Sequence, residues 1–475
     1  MSMPSDGGPH PAGESRPDSD LRSTGEPRPG GGQRPTADPD PDGERGAGDW
    51  QDYLHTLAAF GMRPGLERVA CLLARLGHPE RSFRAIHVVG TNGKSSTTRY
   101  AAAVLGAAGL RSGAYLSPHI TGFNERVLVA GRPVAQATLG AAVERVRAES
   151  RRLPPELGPV TQFEVLTVAA FAALRDEGVE AAAIEAGLGG RLDATNVLGA
   201  AVVVLTTIGL EHTEILGGTR ELIFAEKAAV IGPGAAAVFG PLEGLEGAAA
   251  AACARVGARA HLFGRDVAVA GDPADFSVEL LGERFERLSV PSPARYQTVN
   301  AGLAVAACRL LLGSLDAGAV RCALATTAVP GRLQIVGREP LLVADGAHNP
   351  DGVAALASAL TELERPAPRV GVFAIMADKA VAAMLAQLVP LVDTVVCTQA
   401  SEPRSLSAEH LAQRIGALAA GSLEVREEPD PHAAVALARR LAGRRGSVLV
   451  AGSLYLLADL ADLLASGGAG SGRVY

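Results

Sequence analysis

Between Ile86 and Ser96 the chain reads Ile-His-Val-Val-Gly-Thr-Asn-Gly-Lys-Ser-Ser, and an Ala-rich segment of helical composition, Tyr100 to Leu110, follows. An apolar run that ends in a glycine turn, then Lys-Ser, then a helix, is the layout of a phosphate cradle. Backbone N–H groups of such a loop and the helix N-terminus gather anionic oxygens. In that arrangement Gly90, Thr91, Asn92 and Gly93 form the cradle and Lys94 reaches the outer phosphates. A hydroxyl of Ser95 or Ser96 then lies beside a Mg²⁺ ion. The commoner spacing needs a glycine at position 88, which is Val88 here, so the loop is a short one. A Gly-Asn turn that merely precedes a lysine is the plainer alternative.

The segments downstream alternate between apolar runs and helical patterns, with polar residues just after each run. Gly113–Leu116 ends in Ser117-Pro-His119, Ala181–Glu185 ends in a Gly-rich turn reaching Asn196, and Ala201–Ile208 ends in Gly209-Leu-Glu-His212. That pattern predicts an α/β fold with an open, mostly parallel sheet, whose ligands lie beyond the carboxyl ends of the strands. Helices are expected over Tyr53–Phe60, Val69–Leu76, Val134–Arg151, Thr161–Leu174, Thr219–Val230 and Arg295–Leu312. Residues from Ala235 to about Leu288 carry weaker signals, with peripheral strands at Val267–Val269 and Phe276–Leu281. A second, smaller α/β unit follows Pro330-Gly-Arg332, with strands at Pro340–Ala344, Val370–Ile375, Thr394–Thr398 and Ser447–Val450.

The expected organisation is a disordered tail over 1–48, a nucleotide-binding domain over 49–332, a smaller domain over 333–465 and a flexible tail over 466–475. The first 48 residues are Pro, Gly and polar residues, which cannot bury enough apolar surface to offset their ordering entropy. The net charge of −7 argues against a nucleic-acid partner. No stretch has the apolar density of a membrane span, and the N-terminus lacks the apolar core of a secretory signal. Five widely spaced cysteines read as thiols in a reducing compartment, so the chain is expected to be cytoplasmic.

Ser117, Glu185 and His212 each follow a predicted strand. An oxygen, a carboxylate and an imidazole at one sheet edge can coordinate Mg²⁺, which favours oxygen ligands and keeps several waters. Taken singly, they read as a turn serine, a strand-end charge and a loop histidine. Lys227 reads by default as a solvated lysine, although its Ala-rich helix leaves burial open. Asp193 and Asn196 suit a turn, and Asp345 and His348 suit either an Asx-type turn or contacts to ribose or phosphate.

Gly90-Thr-Asn-Gly-Lys94, Ser117-Pro-His119, Glu185-Ala-Gly-Leu-Gly-Gly-Arg-Leu-Asp-Ala-Thr-Asn196, Leu210-Glu-His212, Glu226-Lys227, Pro330-Gly-Arg332, Asp345-Gly-Ala-His-Asn-Pro350 and Gly452-Ser-Leu-Tyr455 occur in this order. Together they resemble the folylpolyglutamate synthase / dihydrofolate synthase family, a branch of the Mur ligases, over residues from about 50 to about 462. The resemblance implies an N-terminal P-loop ATPase-like domain plus a smaller, glutamate-binding, Rossmann-like domain. It implies an ATP-dependent ligase that joins L-glutamate to a folate or to dihydropteroate through an acyl phosphate, releasing ADP and phosphate. By the same resemblance Lys94 and its loop hold ATP, with Asn300, Arg332 and Asp345 around the nucleotide. Ser117, Glu185 and His212 hold Mg²⁺, and Lys227 matches a lysine carbamylated in the family, beside a second Mg²⁺. His348 and Ser453 lie near the glutamate site, and Thr161, Phe163 and Asp193 near the pterin. A monomer acting on small molecules is implied. The alternatives are another Mur-type amino-acid ligase and a catalytically weak nucleotide-binding homologue. Ser95 stands where the family carries glycine, and its Cβ would crowd a phosphate if the backbone there needed a positive φ. Glu211 stands where the family carries Asp.

Overall fold

The computed structural model of the chain describes residues 50–58, 61, 63–419 and 423–467. The N-terminal tail expected to be disordered lies outside the described residues, as do residues 468–475. The helix Ala461–Gly467 runs into the start of the segment expected to be flexible.

The first sheet has eight strands: β1 (Arg84–Val89), β2 (Ser112–Tyr115), β3 (Val127–Val129), β4 (Arg132–Pro133), β5 (Ala181–Glu185), β6 (Val202–Leu205), β7 (Ala236–Phe239) and β8 (Arg259–Leu262). Their order is β4-β3-β2-β5-β1-β6-β7-β8. All pairings from β2 to β8 are parallel, and β3 and β4 add an antiparallel edge. Parallel strands covered on both faces read as unbroken apolar runs, and every residue of β5, β6 and β7 is buried. Ala85 and Val89 of β1 share a core with Phe171, whereas Ile86 and Val88 share one with Tyr100 and Leu303. Side chains alternate along a strand, so the intervening His87 faces the Phe171 side.

Sequence reasoning missed β7 and β8, which extend the main sheet with β8 at its edge. Ala236-Ala-Val-Phe239 is short, and the helix between them, Glu246–Val256, is mostly alanine. Neither offers the polar–apolar contrast that marks a period. The strands β9 (Val267–Asp272), β10 (Asp275–Leu280) and β11 (Glu283–Leu288) do form a separate antiparallel sheet. It packs closely on the helix Tyr296–Leu312: a Cβ on Gly302 would come within 2.4 Å of Val269.

The third sheet comprises β12 (Gln334–Arg338), β13 (Leu341–Ala344), β14 (Arg369–Phe373), β15 (Thr394–Cys397), β16 (Glu424–Glu427) and β17 (Ser447–Ala451). Its order is β12-β13-β17-β14-β15-β16, with β12 antiparallel to β13 and the other pairings parallel. No described helix is long and apolar enough to cross a membrane.

The helix Gln162–Asp176, which underlies the first sheet, starts at a capping box. Thr161 Oγ1 accepts the Glu164 N–H at 3.2 Å, and Glu164 Oε2 accepts the Thr161 N–H at 2.8 Å. Such a cap is typically worth about 1 kcal/mol. Thr161→Ala should lower unfolding stability by about that amount in a urea titration, with an unchanged m value. An unshifted midpoint would show that the cap contributes nothing.

Candidate active site

The turn after β1 is fastened to the end of β6. Thr206 Oγ1 donates to the Asn92 carbonyl at 2.6 Å, and Thr207 Oγ1 accepts the Asn92 N–H at 3.0 Å. The Gly209 N–H donates to Thr91 Oγ1 at 3.0 Å. Gly90 (φ 153°) and Gly93 (φ 86°) lie in the left-handed region, and a Cβ would stand 1.9 Å from Thr206 Oγ1 or 2.5 Å from Asn300 Oδ1. Glycine is therefore required at both positions. Lys94 opens the helix Lys94–Ala107 and curls back, its Nζ donating to the carbonyls of Gly90 at 3.1 Å and Thr91 at 3.0 Å. Ser95 sits inside that helix and has no positive φ, so the condition under which its Cβ would crowd a phosphate does not arise. Ser96 is buried in the same first turn.

Glu185, at the carboxyl end of β5, is buried and has a donor on each oxygen. Ser95 Oγ donates to Oε1 at 2.9 Å and the Ser117 N–H to Oε2 at 3.1 Å. Burial raises its carboxyl pKa, against the pull of Lys94, these two donors and Arg332. His212 lines the same cleft, and burial lowers its imidazole pKa. Among the described residues no cluster of three or more His, Cys, Asp and Glu side chains is set to hold a metal. A hard divalent cation nonetheless suits this edge, because it needs few protein ligands and completes its shell with water and phosphate oxygens.

Lys227 is 5% exposed, so the solvated reading of this lysine is wrong. Its helix, Arg220–Ala228, is pressed against the Gly-rich turn after β5: a Cβ on Gly190 would lie 2.8 Å from the Lys227 carbonyl. Lys227 Nζ donates to the Gly90 carbonyl at 2.8 Å, at the back of the phosphate loop. Burial, then the charge of Lys94, lowers its pKa to about 7, while Glu211 and Asp193 pull the other way.

Glu211 is a hub that the sequence hardly signals. Its Oε1 lies 3.7 Å from His212 Nε2, 3.5 Å from His348 Nε2 and 3.8 Å from Lys379 Nζ. Burial alone would raise its pKa, but His348, Lys94 and His212 hold it well below the usual carboxylate range. His348 and Lys379 come from the turns after β13 and β14, so Glu211 ties the two large sheets together. The Nδ1–H of His348 donates to the Gly346 carbonyl at 2.8 Å, which turns Nε2 toward Glu211. Lys379 follows a strand end, as Glu185 does, and that rule applied to the second unit finds it.

Asp345 is buried and fixed by its own turn. Its Oδ1 accepts the Ala347 N–H at 2.8 Å, and its Oδ2 accepts the Leu333 N–H at 2.7 Å and the Tyr296 hydroxyl at 3.3 Å. Burial raises its pKa against the opposing charge of Arg332. Asn300 adjoins Gly93 and donates to Gln297 Oε1 at 3.1 Å. Ser453 caps the helix Leu454–Asp459, its Oγ accepting the Tyr455 N–H at 3.0 Å. Asn92 and Asn349 exchange side-chain amide hydrogen bonds at 3.4 and 3.2 Å.

These groups surround one cleft of about 870 Å³ whose wall includes Lys94, Glu185, His212, Lys227, Arg332 and His348. Thr161, Phe163 and Asp193 are not on its lining, and Phe163 and Asp193 stand behind it. Thr161 caps a helix, Phe163 lies over Gly187, and Asp193 Oδ2 accepts the N–H of Leu188 at 2.7 Å.

Residues 331–454 match the family model described as Mur ligase, glutamate ligase domain. The chain is 36% identical over 380 residues to the dihydrofolate synthase/folylpolyglutamate synthase of Mycobacterium tuberculosis, covering 74% of this chain and 78% of that protein. It superposes with a TM-score of 0.82 on Mycobacterium tuberculosis folylpolyglutamate synthase complexed with ADP, at 32% identity, covering 90% of this chain and 98% of that one. A bifunctional folylpolyglutamate synthase/dihydrofolate synthase with Mn, AMPPNP and L-glutamate bound gives a TM-score of 0.77 at 30% identity, covering 88% of this chain and 98% of that one.

Lys227 generates a pH prediction. Its folded pKa of about 7 lies below the ordinary 10.5, so between those values the unfolded chain binds more protons. Stability contributed at this position therefore rises with pH across that window. The denaturation midpoint of the wild-type chain, relative to Lys227→Met, should climb from pH 7 to pH 10. A pH-independent difference would contradict the assignment.

Proposed function

The chain belongs to the dihydrofolate synthase/folylpolyglutamate synthase family of Mur-type ligases, and from that membership we propose how its cleft carries out the ligation. The enzyme is an ATP-dependent ligase that adds L-glutamate to a folate, to dihydropteroate or to both, and it uses a divalent metal ion. The observation that carries the assignment of roles is the meeting, across one cleft, of the phosphate loop with the Asp345–His348 turn of the other sheet. Residues 49–332 serve the nucleotide and residues 333–465 the incoming amino acid.

In this reading the N–H groups of Gly90–Ser96 and the Lys94 ammonium bind the phosphates. Lys94 leaves the carbonyls of Gly90 and Thr91 to do so, and Arg332, Asn300 and Asp345 hold the nucleoside side. The γ-phosphoryl group moves to the substrate carboxylate: a P–O bond to that oxygen forms and the bond to ADP breaks. The amine of glutamate then attacks the acyl carbon, loses a proton and expels phosphate. Catalysis of this kind is mostly positioning and charge stabilisation. Glu185, Ser117 and His212 would hold the divalent cation, which neutralises phosphate charge when bound. His348, with Glu211 beside its Nε2, accepts the proton of the amine, and Lys379 offers a cation to a glutamate carboxylate.

Lys227 is the residue whose chemistry is most specific. A lysine with a pKa of about 7 is a free amine in a substantial fraction of molecules near neutrality, and a free amine can add CO₂. A new N–C bond forms, one proton is lost, and the cation becomes a carbamate anion. Beside the phosphate loop such a carbamate would provide oxygens for a second Mg²⁺.

Purified protein with ATP, Mg²⁺, L-glutamate and either tetrahydrofolate or dihydropteroate should release ADP and yield a product one glutamate longer. No ADP with either acceptor would refute the assignment. Lys94→Ala and Lys227→Ala should each lower kcat by about 10²–10³-fold, the scale of losing a charge-stabilising group. A ¹³C-bicarbonate-labelled carbamate signal should be present in the wild type and absent from Lys227→Ala, and near-normal turnover of that variant would remove the carbamate role.

A further inference from the structure

His87 lies in β1, three residues before the phosphate loop, and is 1% exposed. Its Nε2 is 2.7 Å from Thr195 Oγ1, and Thr195 Oγ1 in turn donates to Asp193 Oδ1. An ionised carboxylate only accepts, and a threonine hydroxyl has a single proton to give. Thr195 spends that proton on Asp193, so His87 must be the donor to Thr195, as its Nε2–H tautomer. Burial lowers the imidazole pKa to about 4, and the ring stays neutral at working pH.

The chain of bonds continues to the cleft. Asp193 Oδ1 also takes the Thr195 N–H at 3.0 Å, and its Oδ2 takes the Leu188 N–H at 2.7 Å. Gly187 and Leu188 are wall residues of the cleft. A Cβ on Gly187 would lie 2.5 Å from the Phe163 ring, so that ring packs directly on this stretch. An unbroken run of hydrogen bonds thus leads from the interior of the sheet to the backbone of one wall. That wall follows β5, on the β2 side of β1, whereas Thr206, Thr207 and Gly209 anchor the phosphate loop from the β6 side.

We propose that His87 is a positioning residue for the wall that receives the carboxylate-bearing aromatic substrate, acting through Thr195 and Asp193 on the backbone of Gly187 and Leu188. This rests on the ligase reading above for the identity of that substrate. Removing the donor leaves the Thr195 oxygen without its buried partner and loosens the turn, while the nucleotide side keeps its own anchors.

The test uses full-length protein with three changes. His87→Leu removes the donor, and His87→Gln keeps an amide N–H at a similar reach. Thr195→Val deletes the intervening hydroxyl and serves if His87→Leu does not fold. His87→Leu or Thr195→Val should raise KM for the pteroate or folate acceptor roughly tenfold, the size expected for one buried hydrogen bond. KM for ATP should stay within about twofold, and His87→Gln should return the acceptor KM to within about threefold of wild type. Amide hydrogen exchange at Leu188 and Thr195 should quicken in the donor-less variants and not in His87→Gln. Equal increases in both KM values, a Gln variant no better than Leu, or unchanged exchange at those amides would each overturn the proposal. If the wild type turns over neither acceptor, the ligase reading fails, and the exchange measurement still decides the role of His87.

Discussion

The Gly90 carbonyl accepts from two lysines, Lys94 at 3.1 Å and Lys227 at 2.8 Å, and the site is organised by that shared acceptor. Two lysine side chains converge at the floor of the cleft, and the charge of Lys94 adds to burial in disfavouring that of Lys227. The arrangement persists because Glu185, Glu211 and Asp193 stand close by and because backbone oxygens take the donors. Lys227 is buried, and its proton is the loosely held one. The glycines at 90 and 93 make this possible, since a side chain at either position would push the loop off Thr206 or Asn300.

Much of this was legible in the residues. The apolar run, glycine turn and Lys-Ser at 86–96 predict a strand, a cradle and a helix, and the structure has them. The rule that polar groups after parallel strands face one crevice brings Ser117, Glu185 and His212 to the same edge. What the residues do not display is burial set from a distance. Lys227 is enclosed because Gly190, far back in the chain, lets the turn after β5 press on its helix. Nothing local to Phe224–Ala229 reveals that. Glu211 is opaque for a related reason: its importance comes from His348 and Lys379, which arrive from the other sheet. Alanine-rich β7 and the helix after it carry no period to read.

The positions placed near the pterin by resemblance show how one residue can have two descriptions. Thr161 begins a helix and Asp193 closes a turn, and each has its polar atoms engaged by neighbouring backbone. Asp193 shapes the cleft wall from behind it, through the Leu188 N–H. Each of the two holds backbone in place, so turn chemistry by itself accounts for these residues in the structure.

The junction between the two large sheets is held by two kinds of contact. Asn92 and Asn349 meet as neutral amides, whereas Glu211 meets Lys379 as a charge pair 3.8 Å apart, with His348 Nε2 at 3.5 Å. Dissolved ions screen the second kind in part and leave the first untouched. Ionic strength therefore acts as a dial on one half of the seam alone. In dilute buffer Glu211 draws on Lys379 most strongly, and in concentrated salt the amide pair is the contact whose strength is unchanged.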